Sequence, residues 1–328
     1  MIPFNTIICG VIKNGENYIE SNLDYCINTG KLFKNHKIIV YENNSTDKTK
    51  ELLNNYKLTN ENENIKIIME DIPYQTIKQN SRIWTATFRT GSDHPCRMEQ
   101  ICNARNKVVD EFNKPEYDDF NYIIWIDLDS KGWDLSGIQN SFDRKDEWDA
   151  VFAGGDFYDH YAFRLNPNIK HTDPIYNEIE NYSELFCIGP ESLGQTYWGL
   201  RTHFNVSFNN MDKLIPVYSS FNGIGIYKKE LFKENRYDCM VNEDIKVLTR
   251  EFINHSEYHR YQARMCAKCT KFRSGGFRDD KTNIYWKSNS GYNRPVVCEH
   301  VCLHFSLTRK NYRLMINPKM NYVRAEAV

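Results

Sequence analysis

Asp127 and Asp129, one leucine apart at the end of the apolar run Tyr122-Ile-Ile-Trp-Ile126, have the types and spacing for metal chemistry. The run reads as a strand buried on both faces. Side chains at i and i+2 of an extended chain leave the same face. Both carboxylates therefore point one way at the carboxyl end of a core strand, where open α/β sheets place their ligands. Two ionised acids side by side repel, and a divalent cation relieves the repulsion. Such a cation, held by one or two carboxylates, takes its remaining oxygens from phosphates and water. The competing reading is a strand-end turn in which Asp129 or Ser130 caps the next element.

Other reactive residues fall around this pair. Arg105 sits in the middle of the apolar stripe Met98, Ile101, Cys102, Val108, Val109 and Phe112 of a helix expected over 96–114. An arginine there must snorkel, pair with a buried acid, or meet an anion at the core edge. Glu243 and Asp244 stand where a helix should start, and capping by Asp244 competes with a catalytic role. Cys298, His300, Cys302 and His304 alternate along an expected last strand, 295–306. At strand spacing they span roughly 20 Å, too far for one ion. Two of them with the Cys266-Ala-Lys-Cys269 pair could still close a tetrahedral zinc site.

The elements that must position these residues alternate. Strands are expected at 6–12, 37–41 and 65–69, with helices at 16–31 and 48–56 between them. The first helix carries Ile19, Leu23, Cys26 and Ile27 on one side. Short links and continuous apolar strands give a doubly wound α/β sheet with right-handed crossovers. Residues 75–95 read as a loop with a helical turn, 148–153 as a core strand, and 217–227 as a strand-like run containing Gly223 and Gly225. Residues 268–294 read as a basic loop, with only a short tail after the last strand.

Composition narrows the function classes. The 328 residues can bury a full core, and 42 basic against 43 acidic residues leave no electrostatic footprint for nucleic acid. No apolar run is long enough to cross a bilayer, and the first residues lack a basic signal region. Ten cysteines without such a signal suggest reduced thiols and a cytoplasmic protein.

The ordered set of motifs resembles the GT-A-fold glycosyltransferases, which transfer sugar from a nucleoside-diphosphate sugar with Mn2+ or Mg2+. The resemblance implies a Rossmann-like, doubly wound mixed sheet in one domain. Residues 1–130 would form the nucleotide-sugar half and 131–328 the acceptor half. Val40-Tyr-Glu-Asn-Asn-Ser-Thr-Asp-Lys-Thr49 is similar to the segment whose acid reads the nucleoside, which places Glu42 and Asp47 at the donor. Asn103-Ala-Arg-Asn106 resembles the segment that brings an arginine, here Arg105, near the donor. Asp127 and Asp129 match the Asp-x-Asp motif, the second acid on the metal and the first often on the ribose. The segment ending Cys298-Glu-His-Val-Cys-Leu-His304 is similar to the one that gives the metal a histidine, His300 or His304. Phe221-Asn-Gly-Ile-Gly225 resembles an acceptor loop, so Asn222 and Gly223, with Asp156, Tyr158, Asp159 and Arg164, are acceptor candidates. Glu243-Asp244 is similar to the acidic motif whose aspartate is the base in inverting members. The stretches around Tyr158 and Asn222 look closest to fungal capsule mannosyltransferase-like and large-DNA-virus enzymes, the latter implying host cytoplasm.

The expected reaction is therefore transfer from a nucleoside-diphosphate sugar, UDP-sugar favoured, to a hydroxyl of a glycan or protein-linked acceptor. A HAD-type phosphotransferase fits less well, because its motif sits on an early strand with Thr or Val where Lys131 stands. A nucleotidyltransferase of related fold would want glycine- and lysine-rich loops near the N-terminus. A zinc-stapled, non-catalytic sugar-binding module rests on Cys266, Cys269 and the late Cys/His cluster.

Overall fold

The computed structural model describes residues 1–59, 64–86, 93–159, 161–166, 206–208, 211–254, 276–279, 284–287 and 296–325. The first half contains strands β1 (Ile2–Ile12), β2 (Phe33–Asn43), β3 (Ile65–Glu70), β4 (Trp84–Ala86), β5 (Asp93–Pro95) and β6 (Tyr122–Ile126). Helices α1 (Ile19–Gly30), α2 (Thr49–Thr59), α3 (Tyr74–Asn80) and α4 (Arg97–Phe112) alternate with them. Then come β7 (Ser130–Trp133), α5 (Leu135–Asp143), β8 (Ala150–Ala153), β9 (Asp156–Phe157), β10 (Arg164–Leu165) and β11 (Val206–Ser207). The rest comprises β12 (Ile215–Ser219), β13 (Ile224–Lys228), α6 (Glu243–Asn254), β14 (Gly276–Asp279), β15 (Ile284–Lys287), α7 (Glu299–Arg309), β16 (Leu314–Asn317) and β17 (Tyr322–Arg324).

One mixed sheet of nine strands, ordered β10-β12-β16-β8-β13-β6-β1-β2-β3, draws on both halves of the chain. Strands β6, β1, β2 and β3 run parallel, whereas β13 runs antiparallel between β6 and β8. This is the doubly wound mixed sheet that the motifs imply. Its central strands carry buried apolar runs, such as Ile7–Cys9, Ile38–Tyr41 and Tyr122–Ile126, because both faces are covered there. Ile7 and Cys9 of β1 enter the core shared with α4 and α7, while Ile8 and Ile12 enter the core shared with α1, α2 and α5. The carboxyl end of β6 thus opens where the parallel strands meet the antiparallel one, and there the two acids stand.

Several expectations change. Residues 295–306 are not a strand: Glu299–Arg309 form α7. The Cys/His alternation mimics a strand period, but the intervening Val301, Leu303, Phe305 and Leu307 are buried as well. A segment buried all round is a core helix. Residues 217–227 split into β12 and β13, joined by a turn in which Asn222 and Gly223 take φ of 53° and 87°. Asn242 rather than Asp244 caps α6, its Oδ1 accepting from Ile245 N at 2.9 Å. Asp134, not Asp129 or Ser130, caps α5 by accepting from Ser136 N. Residues 75–95 hold α3 and the β4–β5 hairpin, and β14 pairs with β15 inside the expected basic loop. The short tail holds a strand of the central sheet, β16, and a second, β17, that pairs with β7.

Candidate active site

Three segments hold the loop after β6. Asp127 N donates to Gly223 O at 2.9 Å, which fixes the first acid to the β12–β13 turn. Tyr322 Oη donates to Asp127 O at 2.9 Å. Asn22, buried on α1, donates through Nδ2 to Leu128 O at 2.9 Å and to Ser130 O at 3.1 Å. Ala325 N donates to Asp129 O at 3.2 Å. Leu128 turns inward into the core, as alternation requires. Gly10 on β1 makes room, since a Cβ there would meet Ile126 O at 2.5 Å and Leu128 Cγ at 2.7 Å. A buried asparagine satisfied on both amide ends costs little, whereas losing it would strand carbonyls.

The carboxylates differ in company. Asp127 Oδ1 accepts from Arg105 Nη2 at 3.1 Å, and Oδ2 accepts from Tyr158 Oη at 3.2 Å. Asp129 is exposed and makes no ion pair among the described residues. Desolvation by the packed strand end, then the charge of Asp127, pushes its carboxyl up to about 6. Its open face tempers the first cause; the nearby like charge secures the direction. Asp159 also carries a raised pKa, about 7, from desolvation first and then from Asp127 and Glu299. Its Oδ1 accepts from Ala162 N at 3.3 Å.

Arg105 is 4% exposed and lies between Asp127 and Glu299, its Nε 3.3 Å from Glu299 Oε1. Trp125, Phe221 and Tyr237 place ring centroids 5.1–5.5 Å from the guanidinium carbon. Burial opposes its charge, but Glu299 and Asp127 outweigh that and raise its pKa. Of the routes open to this arginine, pairing with acids is the one found, the buried Glu299 and the half-buried Asp127, and Nη1 keeps no hydrogen-bond partner.

The histidines do not join the acids. His304 is wholly buried, sharing hydrogen bonds through Nδ1 with Ser219 Oγ (3.0 Å) and through Nε2 with Tyr227 Oη (2.9 Å). With both nitrogens engaged it is a core residue, not a metal ligand. His300 stacks on Phe221 at 3.9 Å, and its ring nitrogens lack hydrogen-bond partners. Burial, then Arg105 and His304, hold its pKa well below the usual imidazole range. Among the described residues no group of three or more His, Cys, Asp or Glu is placed to hold a metal. The expected grouping of Asp127, Asp129 and a late histidine is therefore not found among the described residues. The seven described cysteines are buried and in no disulfide, and Cys266 and Cys269 lie outside the described residues.

Other candidates take structural duties. Glu42 is buried and accepts from Ser45 N at 2.7 Å, while its Oε2 has no partner. Asp47 caps α2, accepting from Thr49 N at 3.0 Å, and braces Glu16 N at 3.1 Å. Asn222 Nδ2 donates to Gly154 O at 2.7 Å and its Oδ1 accepts from Tyr158 N at 2.9 Å. That amide therefore staples the loop carrying Tyr158 instead of meeting an acceptor. Gly223 packs under Tyr322, where a Cβ would come within 2.4 Å of the ring. Arg164 is buried and donates to Tyr161 O and Phe163 O at 3.1 and 2.7 Å. Asp156 pairs through its backbone with Ser207. Asp244 accepts from Ser306 Oγ at 2.7 Å near the far end of α7, roughly 10 Å along that helix from Glu299. Glu243 is exposed and pairs with Lys246 at 2.9 Å.

Sequence reasoning misses Asn22, Glu299, Tyr322 and Arg324. Asn22 is hidden inside an amphipathic stripe, and the others follow no local motif. A cleft of about 750 Å³ lined by Phe4, Asn121, Lys228, Lys229, Lys233 and Arg236 lies at the opposite, amino-terminal end of β6. It holds neither carboxylate, so the chemistry of the residues, not cavity size, locates the site.

The chain matches the family model described as cryptococcal mannosyltransferase 1 over residues 7–282. No curated protein matches it by sequence. Among solved structures, S. aureus TarS 1-349 is similar at 10% identity and a TM-score of 0.39, over 98% of this chain and 60% of that one. This chain thus spans less than two thirds of that structure. M. tuberculosis glucosyl-3-phosphoglycerate synthase is similar at 12% identity and a TM-score of 0.36, over 89% of this chain and 90% of that one. The family match covers more than half of the sequence and includes Arg105, Asp127, Asp129 and Asn222, so the chain belongs to the family described as cryptococcal mannosyltransferase 1.

Proposed function

We propose that this chain is a glycosyltransferase that moves a sugar from a nucleoside-diphosphate sugar, with UDP foremost, to a hydroxyl acceptor, using Mn2+ or Mg2+ held by Asp129 and Asp127. The observation that carries the reading is the unbalanced charge at the end of β6. Asp129 is exposed, unpaired and raised to about 6 beside Asp127, on a loop fixed by Asn22, Gly223, Tyr322 and Ala325. Two carboxylate oxygen donors suit a hard cation that takes its other ligands from phosphate and water. When bound, the cation would neutralise charge on the departing diphosphate.

The chain's own residues supply the rest. Arg105 holds Asp127 in place from below, and Tyr158 fixes its other oxygen. Preorganised donors and charges of this kind act without reorganising during the reaction. A base must take the acceptor's proton in an inverting displacement. Asp159, with a pKa near 7 beside the cluster, suits that task better than Asp244, which is engaged by Ser306. The family description favours a second donor reading, a mannosyl nucleotide. The test is nucleotide release from UDP- and GDP-sugars with Mn2+, Mg2+ or EDTA, in the wild type and in Asp129→Asn. Cation-dependent release from one donor, lost in the variant, supports the reading; release unaffected by EDTA contradicts it.

A further inference from the structure

The C-terminal strand carries an arginine that the mechanism does not use. Arg324 is exposed, and its guanidinium carbon lies 5.0 Å from the centroid of the Tyr158 ring. Tyr158 in turn donates to Asp127 and stacks on Tyr322 at 5.8 Å. The strand is bound to the acid loop itself: Arg324 pairs with Ser130, and Ala325 N donates to Asp129 O at 3.2 Å. Arg324 therefore stands over the outer side of the acids, as Arg105 stands on the inner, buried side.

The two arginines differ in what they have left to give. Arg105 is neutralised by Asp127 and Glu299. Arg324 makes no ion pair among the described residues, although acids stand close by. A guanidinium stacked on a ring keeps its N–H fork in the ring plane's direction, free for a phosphate or carboxylate. Arg97, exposed at the start of α4, adds a second positive charge near enough to act on Asp129. Such a cationic rim around an acid pair would repel a lone cation and favour a cation that arrives with an anion.

We propose that Arg324 is a diphosphate-binding residue of the donor site, gripping the phosphate oxygens from the side opposite Arg105. This rests on the proposed nucleotide-sugar reading. It gives the C-terminal strand, which lies beyond the family match, a direct part in donor recognition. Substrate enters between Arg324 and Asp129, and the donor's phosphates complete a charge arrangement that the free protein leaves open.

The test is calorimetric titration of UDP, GDP, the corresponding nucleosides and inorganic pyrophosphate into wild type, Arg324→Ala and Arg324→Lys, with Mn2+ present. Expected is at least a tenfold loss of nucleoside diphosphate and pyrophosphate affinity in Arg324→Ala, partial recovery in Arg324→Lys, and unchanged nucleoside affinity. An unchanged thermal midpoint shows that the exposed position has not disturbed the fold. Wild-type diphosphate affinity in Arg324→Ala overturns the inference and leaves the donor reading standing. Failure of the wild type to bind any diphosphate overturns both.

Discussion

Tyr322 donates its hydroxyl to the carbonyl of Asp127, 195 residues away, at 2.9 Å, and its ring fills the space above Gly223. The last strand of the chain thereby sets the position of the first acid. Tyr322→Phe removes one buried hydrogen bond and should cost about 1 kcal/mol. Gly223→Ala should cost more, about 1–3 kcal/mol, because φ of 87° disfavours a side chain and a Cβ at 2.4 Å must displace the ring. Denaturant unfolding measures both, and equal losses would contradict the packing described.

Arg105 is a buried cation shared by Asp127 and Glu299. Arg105→Met leaves the buried Glu299 without its guanidinium partner and should cost about 3–5 kcal/mol. Adding Glu299→Gln should recover a good part of that loss, because the uncompensated charge goes with it. A double-mutant cycle checks this; simple additivity would show that the two residues do not share the interaction.

Asp159 links pH to both stability and turnover. Its pKa is raised from 3.8 to about 7 in the folded chain. The folded state therefore holds a proton that the unfolded state releases, so stability contributed by this group is present below pH 4 and is lost as pH rises to about 7. Asp159→Asn should match the wild type in acid and exceed its thermal midpoint above pH 7. The same variant should lose transfer while retaining nucleotide binding. A midpoint difference that shrinks with rising pH, or full activity, would contradict the assignment.

His304 bridges Ser219 and Tyr227 in the core. Burial, with Arg105, pulls its pKa down to about 3, so it stays neutral at ordinary pH. His304→Ala should cost about 2–4 kcal/mol by leaving a cavity and unpaired hydroxyls. Mn2+-dependent nucleotide affinity should stay within a factor of two in the folded fraction, and a larger loss would return His304 to the metal.

The parallel half of the sheet is legible in the sequence because its strands are continuous apolar runs separated by short amphipathic helices. Asp127 and Asp129 stand out for the same reason, an abrupt change from Ile126 to charge. The helix α7 is easily misread, because alternation of Cys and His looks like a strand until the residues between them are counted as core too. Glu299 and Tyr322 are invisible, since each acts through a contact with a residue more than 170 positions away. Asp47 and Asn222 have the right chemistry for binding but serve the backbone, and only hydrogen-bond partners separate capping from binding.

Titration of UDP and GDP into wild type and Asp129→Asn, each with Mn2+ and with EDTA, tests the cation-bridged donor site most directly. At least one nucleotide should bind the wild type ten times or more tightly with Mn2+ than with EDTA, and that difference should vanish in Asp129→Asn. A cation effect of the same size in both proteins would mean that the carboxylate at the end of β6 does not hold the metal.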